Sequence, residues 1–276
     1  GGNPSFTATT VVLAAGTMTA GTASCTFTAT IQGTAAGSYL NDNARFSGRT
    51  GGISTTATAA TLDVRQVLLT KNYAPASVVA TGTSVLTFTL TNGAGNPAQS
   101  NITFTDTLTA GAGLTINSVT ALAGAGCSAT TLTFNATSPA SVTLTGANMT
   151  AGTGTCTFTV NVTGNTAGTY ANPAANVTSA TAVVDASGVA STLTVGSQAT
   201  LAKSYGATTA VGVGGSATLT FTINNGAGNP VQSNLGFTDT FLAGTTVTAV
   251  SAIAGAGCGG NPSFTATTVV LAAGTM

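Results

Sequence analysis

LTFTLTNGAGNPAQSNITFTDT, from Leu86 to Thr107, holds two runs in which apolar residues alternate with threonine. Leu86, Phe88 and Leu90 are interleaved with Thr87, Thr89 and Thr91, and Ile102, Phe104 and Leu108 with Thr103, Thr105 and Thr107. A period of two sends each set to one face of an extended chain, so both runs read as half-buried antiparallel strands. The NGAGNP between them is a loop signal, repeated at Asn225, and AGAG before Cys127 and Cys258 is another. Cys156, Phe158, Val160 and Val162 make a further inward row, matched by Cys25, Phe27, Ala29 and Ile31. No stretch shows a helical period.

The quoted stretch recurs as LTFTINNGAGNPVQSNLGFTDT at Leu219 to Thr240. MTAGTGTCTFTVNVTGNTAGTY, Met149 to Tyr170, recurs as MTAGTASCTFTATIQGTAAGSY, Met18 to Tyr39. Gly1 to Met18 is repeated without change at Gly259 to Met276, a spacing of 258 residues. The expectation is a stretch of a longer protein with a 258-residue period and two modules in each period. Module A occupies 67–197 whole. Module B is split into an opening part at 198–276 and a closing part at 1–66. Many short alternating strands in modules of about 130 residues point to an all-β fold of tandem immunoglobulin-like β-sandwich modules. Residues 51–64 and 183–198 read as the connections between modules.

Charged residues are 4% of the chain against a typical ~25%, with no His, Trp or Glu, while threonine fills 60 of 276 positions. That leaves catalysis almost nothing to work with, and no cofactor or metal is expected. Zero net charge with five Lys plus Arg argues against a nucleic-acid partner. No apolar run approaches the ~18–20 residues of a membrane span, and no signal peptide is visible. A 43% apolar content opposes disorder.

LLTKNYAP, FTLTNGAGNP, FTDTLTAGAGL and AGTYANPAANVT in module A form a pattern, which module B follows with LAKSYGA, FTINNGAGNP, FTDTFLAG and AGSYLNDNA. The pattern resembles the conserved repeat of prokaryotic surface proteins, the domain-of-unknown-function-eleven group and its relatives. Thr109 and Leu242 depart from it, since that family has Pro before the AG of the FTDT motif. The resemblance implies large, secreted, tandem-repeat adhesins or filament proteins.

Each module carries two cysteines at matching places, Cys127 and Cys156 in A, Cys258 and Cys25 in B. An even count in a chain without His reads as disulfides, with buried free thiols the alternative and metal ligation set aside. A disulfide closing such a loop stabilises its module by ~3 kcal/mol in the chain-entropy model.

Three polar residues point the wrong way. Lys71 shares a strand face with Val67, Leu69 and Tyr73; Asp106 with Ile102, Phe104 and Leu108; Asn172 with Tyr170 and Ala174. Module B repeats the set as Lys203, Asp239 and Asn41. A buried amine and carboxyl need compensation. Two accounts fit: an ion pair hydrogen-bonded to Asn, or a spontaneous Lys to Asn isopeptide bond, which the similarity to immunoglobulin-like pilin and adhesin modules implies.

Five N-x-T sequons fall in module A, at Asn101, Asn135, Asn148, Asn161 and Asn176, and none in module B. The expected function is structural: an extracellular fibre, surface filament or adhesin stalk whose partners are neighbouring repeats, with lateral self-association. The alternative is a repeat that binds carbohydrate or ice through its threonine rows. Such a binder would show clustered exposed aromatics or a carboxylate-rich Ca2+ site, and four Tyr and five Asp show neither.

Overall fold

A computed structural model describes residues 2–276 except 22, 23, 57, 109–112, 129, 130, 137 and 153 and the side chain of Thr275. Thr109 of the departing motif therefore lies outside the described residues. Nearly all regular structure is β, and the chain divides into two compact units, Gly1–Arg65 and Gln66–Met276. The first unit holds two hairpins. Strand β1 (Asn3–Phe6) pairs with β2 (Val11–Ala14), and β3 (Gly37–Asp42) pairs with β4 (Ala59–Val64). Among its described residues Thr55 alone is buried.

The second unit begins with a complete sandwich. One sheet has the order β16 (Val184–Asp185), β5 (Val67–Ala74), β7 (Thr83–Asn92), β13 (Gly154–Gly164), β9 (Leu114–Val119). The facing sheet runs β10 (Cys127–Ser128), β12 (Ser141–Met149), β8 (Gln99–Thr107), β15 (Val177–Thr178), with β11 (Thr131–Asn135) also on β12. A third, small sheet places β17 (Ser191–Gly196) between β14 (Gly168–Asn172) and β6 (Ser77–Val79). The alternation seen in the sequence is the burial pattern: Leu86, Phe88, Leu90, Ile102 and Phe104 are all fully buried, while the threonines between them face outward.

Three phenylalanines join the two main sheets. Phe88 on β7 stacks on its cross-strand partner Phe158 at 4.7 Å, and Phe104 on β8 tilts against both rings at 5.9 and 6.2 Å. Such pairs add to an already large apolar burial. Phe158→Ala is expected to cost about 3–5 kcal/mol, read as a lower urea midpoint at unchanged slope. A loss below ~1 kcal/mol contradicts a core centred on these rings.

Beyond the sandwich, β18 (Thr200–Ser204) pairs with β19 (Thr220–Asn224), while β22 (Thr268–Thr275) lies between β20 (Leu235–Thr240) and β21 (Gly259–Phe264). These pairings repeat module A. Leu201 opposes Ile223 and Lys203 opposes Phe221, as Leu69 opposes Leu90 and Lys71 opposes Phe88. Asp239 opposes Val269 and Phe237 opposes Leu271, as Asp106 opposes Val142 and Phe104 opposes Leu144.

Two expectations are corrected. Cys25, Phe27, Ala29 and Ile31 are not on an inward-facing strand: residues 24–34 carry no regular structure, and these four side chains are exposed. The equivalent row of module A lies on β13, hydrogen-bonded by β7 on one side and β9 on the other; without neighbours on either side a strand has nothing to satisfy its backbone groups. Second, residues 183–198 and 51–64 are not merely connections. β17 carries Leu193 and Val195 into the core, with Val184 and Val189 also buried, and β4 completes a hairpin. Their small, polar composition hides strands whose partners are remote in sequence.

Candidate functional site

At one place inside module A an ammonium, a carboxylate and a carboxamide meet. Val67, Leu69, Lys71 and Tyr73 alternate inward along β5, so the period that buries the apolar residues buries the lysine with them. Asp106 is carried inward from β8 by the phase of Ile102 and Phe104, and Asn172 ends β14, where β17 pairs with it. The side chains of Lys71 and Asp106 have no exposed surface, and Asn172 is 1% exposed.

Lys71 Nζ donates to Asp106 Oδ1 at 2.6 Å and to Asn172 Oδ1 at 2.8 Å, with Pro173 O at 3.5 Å as a third acceptor. Asn172 Nδ2 donates to Asp106 Oδ2 at 2.6 Å. The ring is closed: each of the three side chains bonds to the other two, which is what a buried charged pair requires. Desolvation pulls the Lys71 pKa below its ordinary value, with the Asp106 charge opposing it. The amine is therefore easier to deprotonate than in water, its nitrogen rests against the Asn172 carboxamide, and Asp106 touches both the amine and the amide nitrogen. Attack on an amide needs these three parts: a neutral nucleophile, an acyl carbon beside it and a group able to move the proton to the leaving nitrogen.

The second set of residues is placed differently. Lys203 Nζ donates to Asp239 Oδ1 at 2.7 Å, but the lysine side chain is 57% exposed. Asn41 lies in the first unit, exposed on β3 opposite Ala60. The structure thus assembles Lys71, Asp106 and Asn172 as a buried triad, and Lys203 with Asp239 as a surface ion pair.

Cys127 and Cys156 form a disulfide, with Cα atoms 5.8 Å apart. It ties the start of β10, just after the AGAG loop, to β13 of the opposite sheet. Such bonds persist in oxidising compartments. Cys25 and Cys258 are unpaired thiols. None of the sequon asparagines is buried; Asn101 and Asn135 are exposed and Asn148, Asn161 and Asn176 partly so. Among the described residues no cluster of three or more His, Cys, Asp or Glu is placed to hold a metal, and no helix is long and apolar enough to cross a membrane.

Two features of the site went unread in the sequence. Ser191 Oγ accepts from the Tyr73 backbone N–H at 3.0 Å, linking β17 to β5 across the sheets. The Tyr73 hydroxyl is buried near Asn172 and Asp106, yet it has no partner in hydrogen-bond geometry. Only its place in the Lys71 row could have signalled it. Burial, with the Asp106 charge added, raises the Tyr73 pKa well above its usual value. The unfolded tyrosine loses its proton near pH 10 and the folded one keeps it, so the stability of module A should fall as pH rises above ~10. Tyr73→Phe is expected to lie within ~1 kcal/mol of wild type at pH 7, since no hydrogen bond is lost, and to flatten that alkaline fall. Urea titrations at pH 7 and 10.5 check both; an unchanged alkaline slope contradicts the assignment.

Comparison with known proteins rests on these same strands. Residues 68–195 and 199–276 each match the model of a family described as Domain of unknown function (DUF7933). The chain belongs to this family. Its first DUF7933 match contains the buried triad and the disulfide, and its second contains Lys203 and Asp239. No curated protein matches the chain. Among solved structures it is similar to a non-cellulosomal cohesin from the hyperthermophilic archaeon Archaeoglobus fulgidus, at 9% identity and a TM-score of 0.31, over 47% of this chain and 89% of that one. It is also similar to the third cohesin ScaC of Acetivibrio cellulolyticus, solved in complex with the ScaB dockerin, at 14% identity and a TM-score of 0.31, over 47% and 97%.

Proposed function

We propose that this DUF7933 chain is an extracellular structural protein, a tandem-repeat fibre, surface filament or adhesin stalk, whose complete module is locked by an isopeptide bond between Lys71 and Asn172. The observation that carries the reading is the closed hydrogen-bond ring of Lys71, Asp106 and Asn172, wholly inside a module that also holds a disulfide. A chain that spends two of its ten charged side chains on one buried contact places them for a purpose other than solubility.

The chemistry balances within the triad. Lys71 passes a proton to Asp106, and its neutral amine attacks Asn172 Cγ. A new C–N bond forms, and Asp106 relays the surplus proton to Nδ2. The old C–N bond then breaks and one ammonia leaves. The product joins β5, the first strand of the module, to β14, one of its last.

In this reading residues 67–197 are one module, 1–66 the closing part of a B module and 198–276 the opening part of the next, as the internal identities suggest. Kinship with the domain-of-unknown-function-eleven repeats belongs to the same proposal and rests on the short shared motifs. The disulfide suits an oxidising, extracellular setting. A surface with few charges and many threonines supports lateral self-association between modules.

Trypsin tests the cross-link. After denaturation and reduction the protease should cut after Arg65 and Lys203 and leave the bond after Lys71 intact, because an acylated lysine is not a substrate. A peptide ending in free Lys71 would return the triad to a plain ion pair.

A further inference from the structure

We infer that the Tyr73 hydroxyl assists the cross-linking step by hydrogen-bonding the departing nitrogen of Asn172. The inference deepens the Lys71–Asn172 reading above and rests on it.

A buried hydroxyl without a partner is rare in folded proteins. Among the described residues only two buried side-chain polar atoms lack one, the Tyr73 hydroxyl and Asn92 Oδ1. Asn92 still bonds through its amide nitrogen, to Pro97 O at 2.9 Å and to Thr150 O at 2.8 Å. Tyr73 has no second polar atom on its side chain. Tyr170, the other tyrosine of module A, donates its hydroxyl to Thr166 O at 2.7 Å. A hydroxyl kept only for structure finds an acceptor in that way, and phenylalanine would fill the Tyr73 site without leaving an oxygen unpaired.

The surroundings of the hydroxyl identify its partner. Tyr73 follows Lys71 by two positions on β5, so both side chains enter the core from one face, about 7 Å apart along the strand. Its backbone N–H donates to Ser191 Oγ at 3.0 Å, and Ser191 is the cross-strand partner of Asn172. The hydroxyl lies beside the triad, where the Asp106 charge and the Asn172 carboxamide both act on it. The acceptors of the triad are occupied. Lys71 Nζ donates to Asp106 Oδ1 and Asn172 Oδ1, and Asn172 Nδ2 donates to Asp106 Oδ2. Nδ2 itself cannot accept, because resonance spreads its lone pair over the planar amide.

Attack by Lys71 changes that. Once Asn172 Cγ is tetrahedral the resonance is lost, and Nδ2 carries a localised pair that accepts a hydrogen bond. Tyr73 then gains a partner that exists only along the reaction path, which is the condition for lowering a barrier. Burial and the Asp106 charge hold the phenol in its protonated, donating form. The Tyr73 proton stays on its oxygen. Asp106 supplies the proton that Nδ2 takes, and the Cγ–Nδ2 bond breaks with its electron pair going to nitrogen. Of the hydrogens on the Lys71 ammonium and the Asn172 amide, ammonia carries off three, the new amide keeps one and Asp106 holds the last. Pro173 closes the competing route. It follows Asn172 and has no N–H, so the next backbone nitrogen cannot attack Cγ, and Lys71 is left as the nucleophile that expels ammonia.

Cell-free synthesis of the full chain tests this, with the intact mass of the reduced protein followed after synthesis is stopped. Wild type and Tyr73→Phe should both reach the loss of about 17 Da, Tyr73→Phe about 100-fold more slowly. Ring-fluorinated tyrosine makes the phenol a stronger donor. Supplied in place of tyrosine, it should speed the wild type and leave Tyr73→Phe, in which it replaces the other tyrosines, unchanged. Packing alone would not respond to the acidity of the phenol. Equal rates for wild type and Tyr73→Phe overturn the inference and leave the cross-link standing, as does a wild type indifferent to the fluorinated residue. That second arm decides the matter should Tyr73→Phe fail to fold. A wild type that never loses the mass overturns the cross-link, and this inference with it.

Discussion

Asp106→Ala is expected to cost module A about 3–5 kcal/mol, the range seen when one partner of a buried ion pair is removed. The substitution strips Lys71 of its counter-charge and Asn172 of its acceptor at once. It also removes the proton carrier, so the cross-link should fail to form. Asp239→Ala is the internal control. The same pair in module B has a lysine more than half in solvent, and surface pairs contribute ~0–1 kcal/mol. A loss of more than about 2 kcal/mol at Asp239, or less than about 1 at Asp106, would contradict the difference in burial on which the site rests.

Mechanical extension should show the larger effect. Lys71 and Asn172 are 101 positions apart. At up to ~3.6 Å per residue, a bond between them withholds about 360 Å of chain from any force applied along the module. Single-molecule pulling should therefore give an unfolding step about 360 Å longer for Asn172→Ala than for wild type, each measured after reduction of the disulfide. Equal steps would mean that ladder hydrogen bonds alone resist the force. For a stalk or tether the distinction is functional, because a covalently closed module transmits load without unravelling.

Much of this was legible in the sequence because strand periodicity is strict. One alternation in Leu86 to Thr107 gives two strands and their inner faces, and the wrong-facing Lys71 and Asp106 follow from it by counting in twos. Asn172 was legible for the same reason. What escaped was whatever depends on neighbours distant in the chain. From sequence alone β17 reads as a connection, because Ser, Thr and Gly surround its two core residues, and only β14 and β6 make it a strand. Residues 24–34 have the same alternation as β13 yet form no strand here, so pattern gives the capacity to pair and packing decides whether it is used. The unpartnered Tyr73 hydroxyl had no sequence signal beyond its row.

The most direct measurement is the intact mass of the reduced chain, wild type beside Asp106→Ala. The wild type is expected to fall short of its sequence mass by about 17 Da, one ammonia lost at Lys71 and Asn172, and Asp106→Ala to carry the full mass of its own sequence. A wild type at its full sequence mass would contradict the cross-link and leave the triad as a buried ion pair.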